Sequence, residues 1–195
     1  MYADESRDQL PDCSGAVWPW DIPARSANVI VRNGGTRNIL YCPSFWKQNN
    51  NELWAFTTGE TNELANDAVQ GYRVLGYALA FRGSGRLRTT NVTESFNPAP
   101  WRMTDGTMLD PGPSDRVIVA DGTISNNGNE VNRAVNRYTG VMGGWSDRKG
   151  HETAHLTTAK YPAGGNLLFL DGHVQWRKFE TMRVRTDGSE PHFWW

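Results

Sequence analysis

The stretch Gly164-Gly165-Asn166-Leu167-Leu168-Phe169-Leu170-Asp171-Gly172-His173-Val174-Gln175-Trp176-Arg177 decides how the chain is read. Leu167 to Leu170 is an apolar run of strand length, and Val174 and Trp176 then alternate with His173, Gln175 and Arg177. Asp-Gly between two such runs predicts a β-hairpin, because glycine accepts the positive φ that a tight turn demands.

Upstream of this stretch, Tyr72–Phe81 predicts a central strand, and Asp115–Ala120 a buried strand ending at Asp121-Gly122. Asn38–Cys42 reads as a strand, and Asn28–Val31 as a strand or a short helix. Phe45, Trp46, Leu53, Trp54 and Phe56 suit a short amphipathic helix interrupted at Asn49-Asn50-Asn51. Residues 83–113 and 126–150 are polar and read as long surface loops. Residues 1–10 read as the end of a helix that begins upstream, stopped by Pro11, which cannot continue the hydrogen-bond ladder. With no repeat, charge block or linker, residues 1–195 are expected to form one domain.

Composition points the same way. Nine tryptophans, 20 glycines and 10 prolines describe a turn-rich, β-rich chain with large rings. A net charge of -1 and a pI near 6.4 give no electrostatic pull toward nucleic acid. A mean hydropathy of -0.61 and the lack of a long apolar run leave no membrane span within these residues. The first eight residues also lack the apolar core of a signal peptide.

Cys13 and Cys42 can form at most one disulfide. A bridge closing that loop of about 30 residues would contribute about 3 kcal/mol. Two separate buried thiols are the alternative. Neither cysteine has a catalytic or redox spacing.

His151-Glu152-Thr153-Ala154-His155 matches the His-Glu-x-x-His pattern. On a helix, such histidines share a face and bind one zinc while the glutamate deprotonates the metal-bound water. The surrounding glycines and threonines are poor helix formers, and Pro162 closes the segment. Thr158 and Tyr161 stand where the extended form of the motif needs glycine and a third histidine, leaving Glu180 as the candidate distal ligand. A zinc hydrolase on His151, His155 and Glu180 is therefore a minor alternative.

Other constellations are weaker. His151, His155, His173 and His192 with Asp121 and Asp171 would make a metal site only if the fold gathers them. Calcium at Asp105, Asp110, Asp115 or Asp187 is the other metal candidate. No paired carboxylates or phosphate-binding glycine loop stand out. Most tryptophans are expected to fill the core, but Trp194 and Trp195 are candidates for an exposed surface that stacks on carbohydrate.

The segment from His155-Leu156 through Pro162-Ala163-Gly164-Gly165-Asn166 to Asp171-Gly172-His173 resembles a bacterial family signature. That family is the prepilin-type, processing-associated H-X9-DG group, related to the pseudopilins of type II secretion. Tyr2-Ala3-Asp4-Glu5, Tyr41-Cys42-Pro43-Ser44, Gly76-Tyr77 and Pro191-His192-Phe193-Trp194-Trp195 agree with it in order. Tyr161 stands where the family has its histidine, and His155 lies earlier, as in a subgroup with an insertion.

The resemblance implies an α+β, pilin-like head in which an antiparallel sheet packs on the end of an N-terminal helix. It implies an envelope protein with a structural or assembly role and no catalysis, anchored through that helix in the inner membrane or a filament. The head would face the periplasm or the cell exterior, with other pilin-like subunits or secretion machinery as partners. On this reading Asp171 and Gly172 shape the turn and His155 and His173 are its structural neighbours. Related pseudopilins bind calcium in a C-terminal loop, but no residues here match that site.

Overall fold

The computed structural model describes residues 7–33, 35–62, 70–143 and 150–195. In chain order the strands are β1 (Asp21–Pro23), β2 (Tyr72–Val74), β3 (Tyr77–Leu79), β4 (Trp101–Arg102), β5 (Met108–Leu109), β6 (Val117–Asp121), β7 (Ile124–Ser125), β8 (Gly164–Phe169), β9 (Val174–Lys178) and β10 (His192–Phe193). The main sheet is antiparallel, in the order β3-β6-β8-β9. Three two-stranded sheets pair β1 with β2, β4 with β5 and β7 with β10. Helices cover Ala24–Arg32 and Asn51–Trp54, so the fold is α+β. Among the described residues no helix is long and apolar enough to cross a membrane.

The apolar run in β8 has a physical cause. Leu167 and Phe169 enter one hydrophobic cluster, with Trp20, Ile124, Phe193 and Trp195. Leu168 and Leu170 pack on a second, with Leu10, Val31, Trp54 and Leu79. Both faces of the strand are covered, so alternation with polar residues is lost. In β6 the register shifts between Val117 and Val119. The extra residue breaks the two-residue period. Ile118 and Val119 consequently share one cluster while Val117 and Ala120 belong to the other.

The hairpin forms where the sequence predicts it, with a longer loop. Gly172 donates its N–H to the Phe169 carbonyl (2.9 Å), and the Phe169 N–H reaches the His173 carbonyl (3.0 Å). Gly172 has φ +91°, whereas Leu170 and Asp171 keep negative φ. This is a three-residue loop with glycine in the left-handed position.

Other local expectations change. Tyr72–Phe81 breaks at Gly76 into β2 and β3, which belong to different sheets, because Gly76 admits the Tyr41 backbone against it. Arg37–Leu40 is a 3-10 helix and not a strand, and Asn28–Val31 lies inside the Ala24–Arg32 helix. Phe45–Phe56 divides at the asparagines into the 3-10 helix Pro43–Gln48 and the Asn51–Trp54 helix, where Asn50 Oδ1 caps the Leu53 N–H (2.9 Å). Of the helix end expected over 1–10, residues 1–6 lie outside the described residues. Residues 7–10 are not helical: Arg7 and Asp8 have positive φ, and the Leu10 N–H bonds to the Glu94 carbonyl (2.9 Å).

Neither cysteine is bonded. Cys13 lies in the Leu10–Phe81 cluster, where burial pushes its thiol up to about 12. Cys42 lies in the other cluster, beside Ser44 and His155. The expected cross-link is therefore absent, because the two thiols serve different parts of the core.

Two glycine substitutions separate turn strain from crowding. Gly172→Ala meets nothing within 4 Å, so only its positive φ opposes the change, at about 1–2 kcal/mol. A Cβ at Gly122 would sit 2.7 Å from the Phe45 ring and 2.9 Å from the Gly76 carbonyl, and Gly122→Ala should cost more, about 3 kcal/mol. Urea denaturation of the two variants measures the difference.

Candidate functional site

The residues that converge most closely are Cys42, Asp121 and His155. Their Sγ, Oδ and Nε2 atoms lie within 4.8 Å of one another, the one such cluster among the described residues. Three separate parts of the chain supply them. Asp121 ends β6 next to Gly122, whose missing side chain lets the Phe45 ring close over the bend. That approach brings in Cys42, the residue before the Pro43–Gln48 turn. His155 comes from the 151–157 segment, held with φ +52°. The Ala154 N–H donates to the Gly122 carbonyl (3.1 Å) and the His155 N–H to Ser44 Oγ (3.2 Å).

Asp121 is the hub. Its Oδ2 accepts from His155 Nε2 (2.8 Å), the Asn166 N–H (2.6 Å) and Asn166 Nδ2 (2.9 Å). Burial alone would push its carboxyl up. The His155 and Asn166 donors outweigh burial and hold it below the usual carboxylate range. Burial likewise opposes a charged His155, yet its Asp121 and Cys42 partners push the imidazole up to about 9. Cys42 Sγ lies 3.4 Å from His155 Nε2 and 3.0 Å from Ser44 Oγ. The Trp176 ring meets His155 edge-on at 4.9 Å.

This is not the wiring of a nucleophilic triad. A catalytic histidine shows one ring nitrogen to the nucleophile and the other to the carboxylate. Here Sγ and Oδ2 both face Nε2.

The His-Glu-x-x-His reading fails on geometry. Residues 151–155 are extended and turned, with His151 bridged to Val141, so the two histidines do not share a helix face. His151 points inward, its Nδ1 2.7 Å from Gln48 Oε1 and its ring 4.6 Å from Trp20. Glu152 pairs with Lys47 (2.9 Å), and Glu180 lies exposed in the Phe179–Thr181 turn, outside the cluster.

The remaining candidates disperse. His173 belongs to the turn as expected, with Nδ1 2.6 Å from Asp171 Oδ1 and its ring stacked on Phe169 at 4.2 Å. His155 instead meets the opposite end of the hairpin, where Gly164, Gly165 and Asn166 open β8. Asp110 faces Arg116, Asp187 faces Arg88 and Asp105 caps Thr107, so these carboxylates and Asp115 form no calcium cluster among the described residues. Trp194 and Trp195 are buried, which overturns the surface expected there. β10 and the Val184–Trp194 bridge draw the segment inward, and Trp194 Nε1 donates to Ser125 Oγ (2.7 Å). Among the described residues the exposed indoles are Trp46 (68%) and Trp176 (44%).

Sequence reasoning grouped Asp121 with His155 as a metal set conditional on the fold, but missed Cys42 as their partner. Cys42 and Asp121 stood beside noted signals, Pro43-Ser44 and the Asp121-Gly122 strand end. Nothing local links positions 42, 121 and 155. No family model, curated protein or solved structure matches the chain.

His151 provides a pH test. Burial lowers its pKa to about 4, so between pH 6.5 and 4 the unfolded chain holds a proton that the folded one lacks. Stability should fall as pH drops through that window, by about 3 kcal/mol at most. Histidine-ring NMR titration should place the His151 midpoint near 4. A midpoint at the ordinary 6.5 would contradict its buried, neutral state.

Proposed function

We propose that this chain is the head of a pseudopilin-like envelope protein with a structural or assembly role. The support is the hairpin that carries the family resemblance. It supplies half of the main sheet, and β9 is the edge strand of that sheet. On this edge Val174 is 63% exposed and Trp176 44%, apolar surface suited to a neighbouring subunit. Leu10 and Cys13, in a segment that is not helical here, share a cluster with Leu79 and Ile118 of the main sheet. The partners are other pilin-like subunits or secretion machinery, met in the periplasm or outside the cell.

The test uses the full-length protein in its own cells, with a photo-crosslinking residue at Gln175, the exposed neighbour of Val174 on β9. Cross-links to pilin-like subunits and recovery in the envelope or sheared-surface fraction are expected. Val174→Asp should abolish those cross-links while leaving the amount of folded protein unchanged. Recovery away from the envelope with no subunit cross-link would overturn the reading.

A carbohydrate-binding role has one observation in its favour, and it is not at Trp194 or Trp195. Trp46 borders a cleft of about 540 Å³ lined also by Asn50, Glu52 and Glu152. An exposed ring beside polar side chains suits a sugar face. Glycan-array binding lost in Trp46→Ala would favour this role, and a blank array would remove it.

A further inference from the structure

We propose that Cys42, Asp121 and His155 hold one zinc ion that ties three distant parts of the chain together. The cluster carries this site by itself, independently of the envelope role. Three side chains of metal-ligating type, from distant parts of the chain, bring their ligand atoms within 4.8 Å of one another. Nε2 of His155 lies 3.4 Å from the Cys42 sulfur and 2.8 Å from the Asp121 oxygen, so the three ligand atoms surround one point. An ion placed among the three atoms satisfies all of them together.

The distances suit zinc. Tetrahedral zinc, with bonds of about 2.0 Å to nitrogen and oxygen and about 2.3 Å to sulfur, separates neighbouring ligand atoms by about 3.3–3.6 Å. The sulfur–nitrogen distance already fits, and the nitrogen–oxygen pair needs to open by about 0.5 Å. Binding displaces the thiol proton and the Nε2 proton. Thiolate, carboxylate and neutral imidazole then carry two negative charges against the two positive charges of the ion. Soft sulfur with imidazole selects zinc over calcium or magnesium, which prefer oxygen throughout.

The surroundings complete the site. Asn166 donates twice to Asp121 Oδ2 and fixes the carboxylate, as outer partners of metal ligands do. Ser44 Oγ, 3.0 Å from Sγ, or a water can take the fourth position. A cleft of about 130 Å³, lined by Ser44, Thr153, His155 and Leu156, gives the entry path.

The experiment uses the full chain, stripped with a chelator and titrated with zinc by calorimetry, then with cobalt as a spectroscopic stand-in. One zinc per chain is expected, together with a thiolate-to-cobalt charge-transfer band. Cys42→Ser and His155→Ala should each weaken zinc binding by at least about 100-fold. Glu152→Gln and Glu180→Gln should leave it unchanged. Absence of stoichiometric zinc overturns the proposal, and so does binding that survives both ligand substitutions. If Cys42→Ser fails to fold, the wild-type cobalt spectrum decides alone: a bound ion without the thiolate band contradicts the site.

Discussion

A buried carboxylate must be surrounded by donors, and Asp121 finds its donors in segments far apart in the chain. Asn166 reaches it from β8 with a backbone and a side-chain N–H, and His155 reaches it from the 151–157 segment. Left without those donors, a charge at 4% exposure would cost several kcal/mol, so the segments are held where the charge needs them. The rest of the site follows from this constraint. Ser44 takes the His155 N–H, the turn carrying Ser44 sets Cys42 beside the ring, and Trp176 closes the side of β9.

Glycine makes the arrangement possible. β6 ends in a bend where Gly122 admits the Phe45 ring and Gly76 admits the Tyr41 backbone. Both contacts bring the 41–45 segment against the end of the sheet. The same close approach splits the Tyr72–Phe81 run into two strands, so a break in secondary structure and the placing of Cys42 share one cause.

What the sequence made legible was local. The hairpin shows because Leu167–Leu170, Gly172 and the β9 alternation all act within fourteen residues, and the β6 strand shows for the same reason. Arg37–Leu40 misled because its apolar Ile39-Leu40 pair suits a 3-10 turn as well as a strand. Trp194 and Trp195 misled more strongly. Their burial depends on β7 and Val184, which no nearby residue announces. Of the Cys42–Asp121–His155 cluster, Asp121 and His155 stood in the sequence as a conditional set, and tertiary approach alone assembles them and adds Cys42. The His-Glu-x-x-His match was the reverse case, a local pattern without the helix that gives it meaning.

Asp121 fastens β8 and the 151–157 segment to the end of β6. Amide hydrogen exchange at Asn166 tests this fastening most directly, because that N–H donates to the Asp121 carboxylate itself. In Asp121→Ala the Asn166 amide and the amides of 154–155 should lose protection together, with about 3 kcal/mol of stability lost. Unchanged protection at Asn166 in a folded Asp121→Ala protein would contradict the account.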